Sequence, residues 1–471
     1  MEMHEARRLW LHAGLPAAAL DRLALVGQPY LPCAYRVSSA ASISIGLSAL
    51  AASEVHRLRT GTACSVTVHS RDACVEFKSH ALYNPDVNRP TPSTWDPLSG
   101  LYAAAVGHVR LHANFPHHRD GLLRLLQLPL TATRHQVQTA LRQWDPEALE
   151  DAATAAGLCA AASRSAEAWA THPMAVHLAA SYAANGCIPW LTAVHASATP
   201  RIAWTAGDNC LSGLRVLSFT RVLAGPIAGR SLASHGADVL WITAPHLPSL
   251  PATDGDTSRG KRALQLDLRE PADVATLKHL VATADVFLDA YRPGALAAKG
   301  FDVPDLLRLN PRLIIGRVSA YGRDGPWGGK RGFDSLVQTV TGINVAEAAA
   351  FRESTPRALP TQGLDHASGY LLAFGVLSAL LKQLTGAATG GHVVDVSLAW
   401  TGQWLASLGP GDIHAPDLST ADIAASTELV VMPNGVTARF AKRAPCMTPS
   451  PRFERYPRSL NDATAEWLSP T

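Results

Sequence analysis

From Leu211 onward the chain alternates short apolar runs with helical patterns, and this alternation restricts the fold more than any other feature. Residues 214–219, 238–242, 263–268, 285–290 and 313–318 read as strands, and residues 224–235 and 271–283 read as helices. Strand-helix alternation of this kind predicts a parallel sheet with helices on both faces, whose ligand lies beyond the C-terminal ends of the strands. Those ends carry Arg221, the run Tyr291-Arg292-Pro293-Gly294 and the run Ala320-Tyr321-Gly322. The turn after the first strand is RVLAGPIAG, with neither GxGxxG nor GxxxxGK[ST], so a dinucleotide or P-loop site is not predicted and the sheet binds something else.

Residues 361–396 read as a long apolar helix followed by a Thr-Gly turn and a Val-rich strand. Asp365 stands directly ahead of the helical run and is the sole acid between Glu353 and Asp395. An Asp in that position is a normal N-cap. It is equally suited to chemistry, because the helix dipole favours a carboxylate at the N-terminus by about 0.3–1 kcal/mol. Spacing alone leaves both roles open.

The first part of the chain echoes this unit. A helical pattern over 37–58 leads to Gly61 and a predicted strand over 65–77, and Gly46 and Gly61 stand as far apart as Gly375 and Gly390. In that register Arg36 falls opposite Asp365, so the first copy lacks the carboxylate. Residues 83–99 read as a loop or linker, residues 133–142, 146–156 and 163–170 as helices, residues 179–209 as a weakly patterned connector, and residues 410–471 as a loop-rich extension. His108, His112, His117 and His118 invite a metal reading, but no recognisable ligand set completes them, and no metal is predicted.

With 47% hydrophobic residues the 471-residue chain has ample material for proper cores, and a net charge of +3 with 17% charged residues offers no broad basic field for nucleic acid. The seven cysteines are scattered and read as reduced, mostly buried thiols. Two Glu among the first five residues argue against a signal peptide, the apolar run 369–381 is too short to span a bilayer, and a cytoplasmic protein without membrane partners is expected.

The motifs then resemble the family III CoA-transferases of the CaiB/BaiF type. LSGLRVLSFTRVLAGPIAGRSLASHGADVLWI from Leu211, RGKRALQLDL from Arg259, YRPGALAAKGF from Tyr291, NPRLIIGRVSAYGRDGPW from Asn310 and RGFDSLVQTVTG from Arg331 follow the family pattern in order. Asp365 with Gly369 resembles the D-x-x-x-G frame of its catalytic Asp. The first half, with Trp95-Asp96-Pro97 and then Glu167, Trp169, His172 and Pro173, resembles the family's later part.

The resemblance implies a Rossmann-like doubly wound α/β sheet with a smaller α+β domain. The expected division is 1–82 (helical region and degenerate repeat), 83–185 (small domain), 186–210 (linker), 211–405 (large domain) and 406–471 (extension). It also implies transfer of CoA between an acyl-CoA and a carboxylic acid through an aspartyl anhydride and an aspartyl-CoA thioester, with Asp365 as a nucleophile ionised at neutral pH. Arg221, Val222, Lys261, Tyr291, Arg292 and Tyr321 are the candidate CoA contacts, with CoA esters as substrates, no tightly bound cofactor, and a monomer or homodimer. Two rivals are weighed. The loop Thr243-Ala244-Pro245 departs from the family's Glu-x-Pro and Arg36 replaces the acid in the first copy, which suits a non-catalytic CoA-binding or scaffold protein. An acyl-CoA racemase would need His in the element Gly332-Phe333-Asp334, which has none.

Overall fold

The computed structural model describes residues 1–186, 188, 190–193, 207–456 and 459–468. Its largest sheet contains β1 (Arg215–Phe219), β2 (Asp238–Thr243), β3 (Arg262–Gln265), β4 (Val286–Asp289), β5 (Ile314–Ser319) and β6 (His392–Ser397). They lie in the order β6-β5-β4-β1-β2-β3, each neighbouring pair parallel, and Trp190–Ala193 adds an antiparallel strand against β6. The chain order therefore reverses between β1 and β4, which opens a crevice at the C-terminal ends of those strands.

Alternate residues of each strand enter different cores. Val216, Val239, Val286, Ile314 and Val394 face the layer that holds α1 (Val37–Thr60), α2 (Ala224–Ser234) and α4 (Gly363–Leu384). Leu217, Leu240, Phe287, Ile315 and Val393 face Leu277, Leu280 and Val281 of the helix Pro271–Thr283. Packing, not propensity, holds α4 together. Gly363, Gly369 and Gly375 each cost a helix about 1 kcal/mol, whereas Leu371, Leu372, Val376, Leu377 and Leu380 are all fully buried and contribute about 1.5–3 kcal/mol each.

A smaller antiparallel sheet of Gly100–Ala103, His108–Leu111 and Ala160–Ala162 packs with helices Pro116–Leu125, Arg134–Leu141 and Pro146–Ala155 around its own apolar cluster. Another three-stranded sheet joins Leu23–Val26, Val66–His69 and Pro445–Cys446. The two helix-turn-strand units are thus both present, and their helices α1 and α4 pack against each other.

Several expectations are corrected. The strand predicted over 65–77 stops at His69, and Ser70–Phe77 is helical, with Ala73, Cys74 and Phe77 at helical spacing and buried. The weakly patterned connector begins as the helix Pro173–Asn185, whose N-terminus is capped by the His172 ring and whose C-terminus ends on left-handed Gly186, and continues to the edge strand Trp190–Ala193. Its part over 194–206, like Cys187, lies outside the described residues. The loop-rich tail contains the hairpin of Thr427–Val431 and Thr437–Ala441. Helix α4 has 22 residues and by length and composition could cross a bilayer, unlike the shorter run read from the sequence, but its apolar window is entirely buried as a core helix. The free cysteines Cys33, Cys64, Cys74, Cys159 and Cys210 are buried and Cys446 is exposed.

Candidate active site

A cavity of about 340 Å³ opens where the chain order reverses. Its floor is the turn Arg221–Gly225 after β1, Ala290–Arg292 after β4 and the end of β5 at Val318–Ala320, and its far wall comes from His117 and His118 of the smaller α+β unit. Asp365, on the first turn of α4, faces into it. Among the described lining residues Asp365 is the one acid, set opposite Arg221, Arg292, Lys330 and Arg331.

Local sequence explains this placement. A Cβ on Gly369 would fall 2.6 Å from the Ala224 carbonyl oxygen and 2.8 Å from the Ile227 Cβ, so glycine lets α4 reach the turn after β1. In that turn Val222 has φ 69°, a conformation that costs a β-branched residue strain and appears chiefly where the surroundings impose it.

Asp365 is not the N-cap that spacing suggested. Helix α4 begins at Gly363, and the Gln362 side chain at the cap position accepts no hydrogen bond from the first turn. The helix is capped from outside, by α3 (Asp334–Val340): the Asp365 N–H donates to Asp334 Oδ2 at 2.9 Å, and the Leu364 N–H also serves that carboxylate. Gln338 donates to the other oxygen, Asp334 Oδ1, and its own Oε1 accepts from Asn344 Nδ2 at 3.0 Å and from the Leu359 N–H at 2.9 Å.

The two carboxyls therefore differ. Burial raises Asp334 to about 6, against the opposing pull of its hydrogen bonds from Asp365 N–H, Gln338 and Leu364 N–H. Burial raises Asp365 well above the ordinary range, and the neighbouring Asp334 charge raises it further. The helix dipole, at about 0.3–1 kcal/mol, is worth less than a tenfold change in ionisation and does not offset them. Asp334 holds the hydrogen bonds that stabilise an anion, whereas the Asp365 carboxyl meets burial and a neighbouring charge that both oppose its ionisation. The expectation of a freely ionising Asp365 took in neither the burial nor the Asp334 charge, and both raise its carboxyl from the ordinary value.

The remaining sequence candidates divide. Arg221, Val222, Tyr291 and Arg292 line the cavity with Asp365. The Arg221 guanidinium lies 4.6 Å from the Phe115 ring centroid and donates to the Pro248 carbonyl. Tyr291 meets Phe219 edge-on and burial pushes its hydroxyl up to about 12. Lys261 does not line this cavity: its Nζ donates to the Pro226 carbonyl at 2.8 Å, it is 6% exposed, and it borders a neighbouring space of about 550 Å³ with Asp254 and Tyr456. Tyr321 is 1% exposed, edge-on to Trp327, and does not reach the cavity. His366 also turns away, its Nε2 3.0 Å from His80 Nδ1 in the buried core.

Residues not singled out from sequence complete the wall. Arg331 Nη1 lies 3.4 Å from His118 Nε2, Lys330 Nζ donates to Glu150 at 2.9 Å, and Phe333 stacks on His112 with centroids 3.6 Å apart. Their signal was the RGFD run itself, which carries Arg331, Phe333 and Asp334 within four residues.

The family model described as CoA-transferase family III matches residues 211–416. A probable fatty acyl-CoA transferase of Mycobacterium tuberculosis is 38% identical over 37% of this chain and 47% of its own length. A succinate–glutarate CoA-transferase of Agrobacterium fabrum is 37% identical over 28% of this chain and 38% of its own length. A CaiB/baiF CoA-transferase family protein of Caenorhabditis elegans is 33% identical over 45% of this chain and 60% of its own length. A crystal structure of the M. tuberculosis protein aligns over 42% of this chain and 57% of that chain with 34% identity and a TM-score of 0.39. The chain thus spans about half the length of the curated relatives it matches. The match falls on the same stretch, residues 211–416, whose motifs from Leu211 onward resemble the family III CoA-transferases.

Proposed function

We propose that the protein is a CoA-transferase that moves CoA between an acyl-CoA thioester and a carboxylic acid, with Asp365 as nucleophile. The observation that carries this reading is a single acid, Asp365, set among four cations in a cavity at the reversal point of a parallel sheet. The strand order supports a Rossmann-like large domain over 211–405. The separate apolar cluster supports a smaller α+β domain over 83–185, flanked by the segments 1–82, 186–210 and 406–471.

In this reading the anionic ends of CoA meet Arg221, Arg292 and Arg331, and Tyr291 walls the channel. Asp365 loses its proton to solvent and attacks the thioester carbonyl, and the C–S bond breaks to give a mixed anhydride and CoA thiolate. The thiolate attacks the aspartyl carbonyl, releases the first acid as its carboxylate and leaves an aspartyl-CoA thioester. The acceptor carboxylate attacks that thioester, CoA thiolate departs, and its attack on the new acyl carbonyl regenerates Asp365. Each step exchanges one activated acyl bond for another, so no outside energy is needed. Asp334 acts through Asp365 as a positioning residue: it fixes the start of α4 and, as a nearby anion, makes the Asp365 carboxylate more basic and hence more nucleophilic.

The test is isotope exchange between unlabelled acyl-CoA and the matching labelled free acid, across a panel of acyl groups. Exchange in the wild type that vanishes in Asp365→Asn supports the reading. Thioester binding without exchange for any acyl group overturns it in favour of a CoA-binding role.

A further inference from the structure

The start of α1 has a cavity of its own. It measures about 100 Å³ and is bordered by Tyr30, Tyr35, Arg36, Ser39, Gly411 and Asp412. Arg36 occupies the N-cap position of α1, and its buried Nε has no hydrogen-bond partner among the described residues. Ser39 is 5% exposed, borders the cavity, and among the described residues its hydroxyl has no partner. The backbone N–H groups of Ser38 and Ser39 belong to the first turn of a 24-residue helix, where no intrahelical acceptor exists. The one acid on the rim, Asp412, is exposed and turned to its own loop, where Oδ1 accepts the His414 N–H at 2.8 Å.

A cation, a hydroxyl and the first turn of a helix thus border one small cavity, and among the described residues no carboxylate is paired with the Arg36 guanidinium. We propose that this cavity binds a small oxyanion, a carboxylate or phosphate group, held by the Arg36 guanidinium, the Ser39 hydroxyl and the amides at the start of α1. The helix dipole adds to the same preference. The site does not depend on Asp365 or on the transfer reaction, since it occupies the start of a different helix.

The cavity beside Asp365 is itself cationic, so the test is made on the full chain carrying Arg221→Ala. Calorimetric titration with inorganic phosphate, and separately with acetate, is compared with the same chain carrying Arg36→Gln or Ser39→Ala in addition, with potassium chloride matched for ionic strength. Saturable binding of either anion, weakened about tenfold or more by Arg36→Gln as expected for loss of a charge-assisted hydrogen bond, and less by Ser39→Ala, supports the site. Phosphate alone identifies a phosphoryl ligand and acetate alone a carboxylate. Ser39→Ala removes only a hydroxyl and so reports on binding even where Arg36→Gln perturbs the fold. Equal affinity with and without Arg36 and Ser39, or no saturable heat from either anion, overturns the proposal.

Discussion

Helices α1 and α4 are the same device used twice, and they differ where it matters chemically. Both are long, rich in small residues, buried from the first turn to beyond the middle, and followed by a strand. Yet α4 opens on Asp365 against a cationic cavity, whereas α1 opens on Arg36 against a small donor-lined one. The buried length sets the scaffold, and the first turn with whatever faces it sets the chemistry. A repeated helix can therefore keep its packing while the charge at its start is inverted.

The contrast makes its largest prediction for the two first turns. Asp365→Ala should lower acyl exchange roughly a thousandfold or more, as loss of a covalent nucleophile does, while Arg36→Ala should leave it within about twofold, measured as initial exchange rates on both variants. Comparable losses would mean that the two helix starts form one site.

The next effect concerns packing. A methyl on Gly369 meets the Ala224 carbonyl and the Ile227 Cβ, whereas a methyl on Gly46 meets chiefly the Leu25 and Leu23 side-chain methyls, which can move. Gly369→Ala should destabilise by about 1–3 kcal/mol, the usual overpacking cost, and Gly46→Ala by less. Denaturant unfolding of the two variants distinguishes them.

Ionisation separates the helices more finely. Asp334 and Asp365 both hold their protons more tightly in the folded chain than in the unfolded one. Their contribution to stability is therefore full below the ordinary carboxylate value of 3.8, and for Asp334 it is lost as pH rises through about 6. Asp365→Asn removes a buried group whose ionisation opposes folding, so its effect on the melting temperature relative to wild type should become more favourable as pH rises. Asp334→Asn should shift the rising limb of the exchange rate toward lower pH, because Asp365 then ionises without a neighbouring anion. A pH profile unmoved by Asp334→Asn would remove Asp334 from the account.

Much of the sheet was legible because buried parallel strands announce themselves as apolar runs: β1, β2 and β5 fall within one or two residues of the ranges read from sequence. Asp365 was legible for the same local reason, as the sole acid before a long apolar helix. What could not be read was anything set by neighbours distant in sequence. The cap on α4 comes from Asp334, 31 residues earlier, and the far wall comes from His117 and His118 on the helix Pro116–Leu125 of the smaller unit. Lys261 was chosen from the family-like run at Arg259 and Tyr321 from its place after a strand, but neither lines the cavity that holds Asp365: Lys261 borders a neighbouring space and Tyr321 is buried. The upward shift of the Asp365 carboxyl was hidden for a related reason, since it arises from burial and from a second carboxyl that only the folded chain brings near.

The central claim is that Asp365 becomes covalently acylated. The most direct measurement is intact-protein mass spectrometry after incubation with a panel of acyl-CoAs, followed by hydroxylamine trapping and peptide mapping. The account predicts an adduct on the peptide containing Asp365, present in Arg36→Ala and absent in Asp365→Ala. Acyl-CoA that binds and turns over while Asp365 stays unmodified, or an adduct that survives Asp365→Ala, would contradict it.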